Sequence, residues 1–174
     1  SYNYLKVFSL GFLNINTPHS VLDLSFNLLN RFEYNLNKIY SYKKIYLAKN
    51  LIGNFDFKTI DKFVGIDSIK LCHNKIKELN SIKTIQSNSI ESIELCYNQI
   101  RILPDSFLDY FYNLKYLDLS QNSISYLSSN TFKSLLSLNY LNISNNRIQD
   151  LPKDLFFNLF RLLKLDLSKN NITI

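Results

Sequence analysis

The chain has 174 residues, enough for one domain with a sizeable core, and its 46% hydrophobic content excludes a disordered chain. No apolar run approaches the roughly 18 residues that a bilayer-crossing helix needs, so we expect no direct membrane insertion of this segment. The formal net charge of +6 comes from Lys residues interspersed with Asp and Glu. Because no block of like charges forms, we expect a mixed, solvated surface and no nucleic acid partner.

One pattern recurs along the chain, and its most regular member is an asparagine. Seven asparagines are separated by 23 residues once and then by 24 residues five times: Asn27, Asn50, Asn74, Asn98, Asn122, Asn146 and Asn170. Apolar residues stand five and three positions before each asparagine and two positions after it. Around Asn122 these positions are held by Leu117, Leu119 and Ile124.

This spacing predicts a short strand in every repeat. Two apolar residues separated by one position point to the same face, which is typical of a half-buried strand. A strand this short must pair with its equivalent in the next repeat, and the long return path makes the paired strands parallel. The asparagine amide can satisfy backbone groups of the buried turn, so we predict a ladder of stacked asparagine side chains.

Three segments, Leu114–Leu127, Leu138–Leu151 and Leu162–Ile172, closely resemble the leucine-rich repeat consensus. The repeat length and Leu103–Pro104 resemble the typical 24-residue subclass, which is found in Toll-like receptor and other extracellular ectodomains. The resemblance implies an α/β solenoid: a right-handed curved horseshoe with a parallel β-sheet on its concave face. Loops and short 3-10 or helical turns would form the convex face. It also implies recognition of a protein or another ligand.

Strand residues that alternate with the buried pair should face the concave surface, and there they are candidates for binding. Tyrosine combines a large contact area with a polar tip and is enriched at binding hot spots. The alternative is that exposed tyrosines only reflect a composition with 12 Tyr. The candidate binding residues are Tyr46, Lys70, His73, Glu94, Tyr97, Tyr116, Asp118 and Tyr140.

Cys72 and Cys96 occupy equivalent positions in adjacent repeats. In register, their Cα atoms should lie near the strand spacing of about 4.8 Å. Parallel side chains would keep the Cβ atoms about as far apart, whereas a disulfide prefers about 3.8 Å. We therefore expect two free thiols, with a disulfide as the alternative. A metal site with His73 is disfavoured, because only three ligands are available.

Other chemical motifs are sparse. Asn142 and Asn171 begin glycosylation sequons, which would be used only in a secreted protein. The chain has three Gly and no Gly-rich phosphate loop, and no arrangement of nucleophile, base and orienting group is visible. The sequence therefore predicts that the protein is not an enzyme and needs neither cofactor nor metal.

We expect residues 1–174 to form a single repeat domain that begins and ends within a repeat. Asn3 would be an eighth ladder asparagine, and the chain would be an uncapped piece of a longer solenoid whose natural start is missing. The predicted function is a protein-binding recognition module of an extracellular receptor or secreted protein. An innate-immune or cell-surface role and a protein ligand or co-receptor would fit it. An intracellular scaffold or adaptor and a structural spacer remain as alternatives.

Overall fold

The computed structural model describes residues 4–9, 21–33, 35, 37–80 and 89–173, and its largest element is a parallel sheet of seven strands. The three-residue strands of the described residues are β1 Val7–Ser9, β2 Val21–Asp23, β3 Arg31–Glu33, β4 Lys44–Tyr46, β5 Ser68–Lys70, β6 Ser92–Glu94, β7 Tyr116–Asp118, β8 Tyr140–Asn142 and β9 Lys164–Asp166. The seven-stranded sheet has the order β2-β4-β5-β6-β7-β8-β9, and β1 pairs in parallel with β3. The predicted repeat solenoid is therefore confirmed.

The sheet separates a core side from an open face. Each strand aligns its middle residue with that of the next strand, as Ile69 aligns with Ile93 and Ile93 with Leu117. The middle residues of β2 and β4–β8 are at most 9% exposed: Leu22, Ile45, Ile69, Ile93, Leu117 and Leu141. The first and third residues of the strands face the other way, and we call this side of the sheet the open face.

Return segments close the core behind the sheet. Phe57 packs edge-to-face between Phe55 and Phe107, with ring centroids 4.9 Å apart on both sides. A 3-10 helix at Phe57–Lys62 is capped by the Asp56 side chain, which accepts the Lys58 N–H at 3.0 Å. The later return segments fold as turns. Among the described residues, no helix is long and apolar enough to span a membrane.

The ladder asparagines join each repeat to the one before it. Asn98 Nδ2 donates to the carbonyls of Leu95 and Cys96 in its own turn, at 3.0 and 3.2 Å, and to Leu71 O in the preceding repeat at 3.0 Å. Its Oδ1 accepts the Ile76 N–H at 3.0 Å. The same set of hydrogen bonds recurs at Asn50, Asn74, Asn122 and Asn146.

The two ends of the ladder differ from its middle. Asn170 keeps its bonds to the preceding repeat, through Ile143 O and Ile148 N–H. The buried Oδ1 of Asn27 has no hydrogen-bond partner among the described residues. Asn3 lies outside the described part of the chain.

A left-handed residue precedes each of the seven ladder asparagines from Asn27 to Asn170, a feature that the repeat pattern does not predict. Seven residues have φ between 52° and 57°: Phe26, Lys49, His73, Tyr97, Gln121, Asn145 and Lys169. None is glycine, although this conformation costs an ordinary L-residue about 1–2 kcal/mol. The backbone N–H of the left-handed residue bonds to the next repeat, since Tyr97 donates to Ser120 O at 3.0 Å. Hydrogen bonding by the turn and the ladder therefore offsets the strain.

Cys72 and Cys96 form a disulfide, so the prediction of two free thiols is wrong. Their Cα atoms are 4.6 Å apart, within the range of about 4.4–6.8 Å found for disulfides. The prediction assumed that side chains on neighbouring strands stay parallel. Both cysteines instead lie two residues beyond β5 and β6, where the chain turns, so their side chains can converge.

Replacing Asn98 with Ala should lower the free energy of unfolding by about 1–3 kcal/mol, because it leaves buried backbone groups unsatisfied. Urea titration followed by circular dichroism measures the change. Asn130→Ala, at an exposed asparagine, is the matched control and should stay within about 0.5 kcal/mol. Equal losses in the two variants would contradict the structural role of the ladder.

The left-handed turn predicts an order of stability at Gln121. Gln121→Val should lower the free energy of unfolding by about 1–2 kcal/mol, because a β-branched residue is strained at positive φ. Gln121→Gly should be more stable than the valine variant, since glycine adopts this conformation without strain. Thermal melts of the two variants side by side test this order, and a valine variant as stable as the glycine variant would refute it.

Candidate binding surface on the open face

Three rows of side chains run along the sheet. The amino row holds the first residues of the strands: Val21, Lys44, Ser68, Ser92, Tyr116, Tyr140 and Lys164. The central row holds the third residues: Asp23, Tyr46, Lys70, Glu94, Asp118, Asn142 and Asp166. The edge row holds the seven left-handed residues, at the carboxyl ends of the strands. All eight candidate binding residues lie in these rows, and each is half-buried or exposed. Ser68, in contrast, is buried at 7% exposure.

Aspartates of the central row have a local structural role. Asp118 Oδ1 accepts the Ser120 N–H at 2.9 Å, and Asp166 makes the same bond to Ser168. Asp23 and Asn142 repeat this turn with Ser25 and Ser144. The bonds from Ser168 lower the pKa of Asp166. One oxygen of Asp118 is therefore committed to its own turn, which leaves the other for a partner.

Strands β4–β6 lack this pair, in which Asp or Asn at the third strand position bonds to a serine two residues later. Tyr46, Lys70 and Glu94 replace the aspartate, and Ala48, Cys72 and Cys96 follow them where the other repeats have serine. Lys70 Nζ lies 3.0 Å from Glu94 Oε1, with side-chain exposures of 37% and 24%. It also lies 5.0 Å from the Tyr46 ring centroid.

The same contacts affect how Lys70 titrates. Its hydrogen bond to Glu94 raises the Lys70 pKa, so the amine stays charged. The central row therefore presents an ordered aromatic–cation–anion series across β4–β6.

The alignment of neighbouring strands brings two pairs of aromatic rings into stacking contact on the open face. Tyr116 and Tyr140 lie in the amino row with ring centroids 4.4 Å apart and planes 4° from parallel. Burial, followed by the neighbouring Asp118 charge, raises the pKa of the Tyr116 hydroxyl, so it stays neutral. In the edge row the His73 and Tyr97 rings stack at 4.1 Å and 12°. Both pairs are ordered before any partner arrives.

The disulfide directly precedes the second ring pair in the chain. Cys72 is followed by His73, and Cys96 is followed by Tyr97. Beside these rings lies a shallow cleft of about 440 Å³, lined by His73, Tyr97, Lys75, Gln99, Gln121 and ladder asparagines. The bridge thus joins the two turns that hold the cleft.

A second groove of about 440 Å³ lies on the side of the solenoid, where sequence reasoning proposed no site. Its lining includes Lys77, Leu79, Arg101 and Ile102. Ile102 is 67% exposed and forms a parallel bridge with Tyr126, which is equally exposed. The sequence signal for this groove is Ile102, an apolar residue four positions after the ladder asparagine Asn98.

The structure also locates the two sequons and the rejected metal cluster. Asn171 is exposed, whereas Asn142 is half-buried and its Oδ1 accepts the Ser144 hydroxyl at 2.7 Å. Since Cys72 and Cys96 are bridged, they offer no thiolates to a metal. Within the described ranges, no three His, Cys, Asp or Glu side chains group as metal ligands.

Comparisons with known structures identify similar folds. The TLR13 chain of a TLR13–ssRNA13 complex is 27% identical, with a TM-score of 0.74 over 84% of this chain and 21% of its own. A leucine-rich repeat protein from Leptospira interrogans is 27% identical, with a TM-score of 0.77 over 87% of this chain and 37% of its own.

A leucine-rich repeat protein from Bacteroides eggerthii shares the fold, with a TM-score of 0.83 at 21% identity over 98% of this chain and 32% of its own. The chain therefore spans between about a fifth and two fifths of the length of these proteins. No curated protein sequence matches the chain.

The leucine rich repeat family model matches residues 88–148 and 137–174, which together make up half of the chain. The matched region contains β6–β9 and their ladder asparagines. The earlier strands β4 and β5 continue the same sheet in the same register. Stacked repeats of this family form protein-binding modules, and this chain belongs to the leucine-rich repeat family.

Proposed function

We propose that the chain is the recognition segment of an extracellular receptor or secreted leucine-rich repeat protein, and that it binds a protein ligand or co-receptor through its open face. The observation that carries the proposal is the ordered aromatic surface. The Tyr116–Tyr140 stack and the Lys70–Glu94 ion pair lie on neighbouring strands of the open face, and all four residues are half-buried.

Pre-ordered side chains make this face suitable for binding. Association normally costs free energy because interface side chains lose rotamer freedom. Tyr116 and Tyr140 already restrict each other, and Lys164 Nζ lies 5.1 Å from the Tyr140 ring centroid. Tyrosine hydroxyls at the rim can add hydrogen bonds to the apolar contact of the rings. The face therefore offers contact area at low entropic cost.

The disulfide supports an extracellular location. Disulfides persist in oxidising compartments and are rare in the cytosol, where thiols are kept reduced. Free thiols would be expected in an intracellular scaffold, whereas Cys72 and Cys96 are bridged. The exposed Asn171 sequon is compatible with secretion. A receptor with an innate-immune role is consistent with the 27% identity to TLR13.

Single-stranded nucleic acid is the second candidate ligand. The similar TLR13 structure is a complex with ssRNA13, and this chain has a net charge of +6. However, acidic residues such as Glu94 and Asp118 lie in the central row, where they would repel a phosphate backbone. Protein is therefore the favoured partner class, and a single-stranded RNA is included in the binding tests.

Tyr116→Ala and Tyr140→Ala should each weaken binding of the protein partner. The partner is obtained by capture from extracellular material of the source organism, purified, and titrated by calorimetry. Loss of a tyrosine hot spot costs about 2 kcal/mol, or roughly a 30-fold rise in Kd. Tyr112→Ala is the matched control, because Tyr112 is 46% exposed but lies in a return segment. Unchanged affinity in both open-face variants would refute the proposed surface.

The location is tested on the protein isolated from its source with thiols trapped by alkylation. A tryptic peptide containing Cys72 should be found linked to the peptide containing Cys96, and the link should disappear on reduction. Deglycosylation should lower the mass if the Asn171 sequon is used. Alkylated, unlinked Cys72 and Cys96 in the native protein would contradict the extracellular location.

A further inference from the structure

The cleft beside the edge row contains one lysine and several hydrogen-bond donors. Its lining residues supply hydrogen-bond donors: the Lys75 ammonium, the Gln99 and Gln121 amides, the Tyr97 hydroxyl and the His73 imidazole. Among the described residues that line it, none carries a carboxylate. Such a site complements a ligand with acceptor oxygens and negative charge.

Lys75 is the uncompensated cation of this cleft. Two other lysines of the same repeats are engaged: Lys70 pairs with Glu94 at 3.0 Å, and Lys49 Nζ lies 4.4 Å from the Phe26 ring centroid. Lys75 is exposed and has no ion pair within the described residues. Its charge is therefore available to a ligand in the cleft.

Covalent, aromatic and hydrogen-bond contacts hold the two turns that form the cleft. The disulfide covalently joins the turns that carry His73 and Tyr97, whose rings stack at 4.1 Å. The Ile76 N–H, next to Lys75, is held by Asn98 Oδ1 at 3.0 Å. These contacts fix the backbone on both sides of the cleft, so the residues that carry its donors are held at set separations.

We propose that this cleft receives an acidic segment of the protein partner, with a Glu or Asp carboxylate on Lys75 and apolar side-chain contact on the His73–Tyr97 rings. The inference rests on the proposed function and names the chemistry that the partner brings. Lys75 and the amides of Gln99 and Gln121 serve as donors to the carboxylate, as in charge-assisted hydrogen bonds.

A short acidic peptide fits these observations better than a nucleic acid strand. Sequence-independent binding of a strand needs a groove of cations along its backbone and open aromatic faces for its bases. Here Lys75 is the one cation that lines the cleft within the described residues, and His73 and Tyr97 each cover one face of the other ring.

The probe is a fluorescein-labelled peptide of alternating Glu–Glu and Ala–Tyr units, titrated with the intact protein and followed by fluorescence anisotropy. Lys75→Ala should raise its Kd about tenfold, the effect of losing one charge-assisted hydrogen bond. Lys153→Ala is the matched control, because it removes the same charge at an exposed return-segment position. Tyr97→Ala should also weaken binding, whereas Tyr112→Ala should not.

A neutral peptide and a single-stranded RNA test whether the cleft binds the acidic peptide specifically or attracts any negative charge. A peptide with Gln in place of Glu should bind at least about tenfold more weakly than the acidic peptide. Equal weakening by Lys75→Ala and Lys153→Ala, or tighter binding of a single-stranded RNA of equal charge, would overturn the proposal. The proposed function would survive either result, because its test uses the natural partner with Tyr116 and Tyr140 and leaves the cleft intact.

Discussion

The fold depends on one buried amide per repeat. In the middle of the ladder, each asparagine donates to carbonyls of two repeats and accepts one N–H from the preceding repeat, as Asn98 does with Leu71, Leu95 and Ile76. Without such a side chain these groups would be buried and unsatisfied, at a total cost of about 1–3 kcal/mol per asparagine. The ladder therefore sets both the turn geometry and the register between repeats.

Register then determines the surface. Because neighbouring strands align residues 23 or 24 positions apart, side chains of one row lie next to each other at strand spacing. Tyr116 and Tyr140 stack for this reason, and Lys70 meets Glu94 for the same reason. Each of these surface contacts thus joins two residues that are 24 positions apart in the chain.

Periodicity was sufficient to predict the strands of the seven-stranded sheet, their parallel pairing and the three rows, because each depends on spacing alone; the β1–β3 pair does not follow from it. The disulfide was missed because flat, parallel strands were assumed at Cys72 and Cys96, which lie in the turn beyond them. The left-handed turns were invisible because bulky residues such as Tyr97 hold them instead of glycine. The cleft was invisible because it requires Lys75 and Gln121 of different repeats to lie together.

The repeats of β5 and β6 depart from the pattern of the other repeats at two positions each, and the departures support one another. Lys70 and Glu94 give up the turn-capping aspartate, and the lost hydrogen bond is offset by their ion pair. Cys72 and Cys96 replace serine and covalently join the same two turns, and the His73 and Tyr97 rings stack directly after them. Stability alone does not require these substitutions, since the repeats of β7 and β8 fold with Asp118 or Asn142 bonded to the serine two residues later. Local departures from a consistent pattern are expected at functional sites. The coupled substitutions therefore favour these two repeats as a second contact region of the proposed partner, next to the Tyr116–Tyr140 stack.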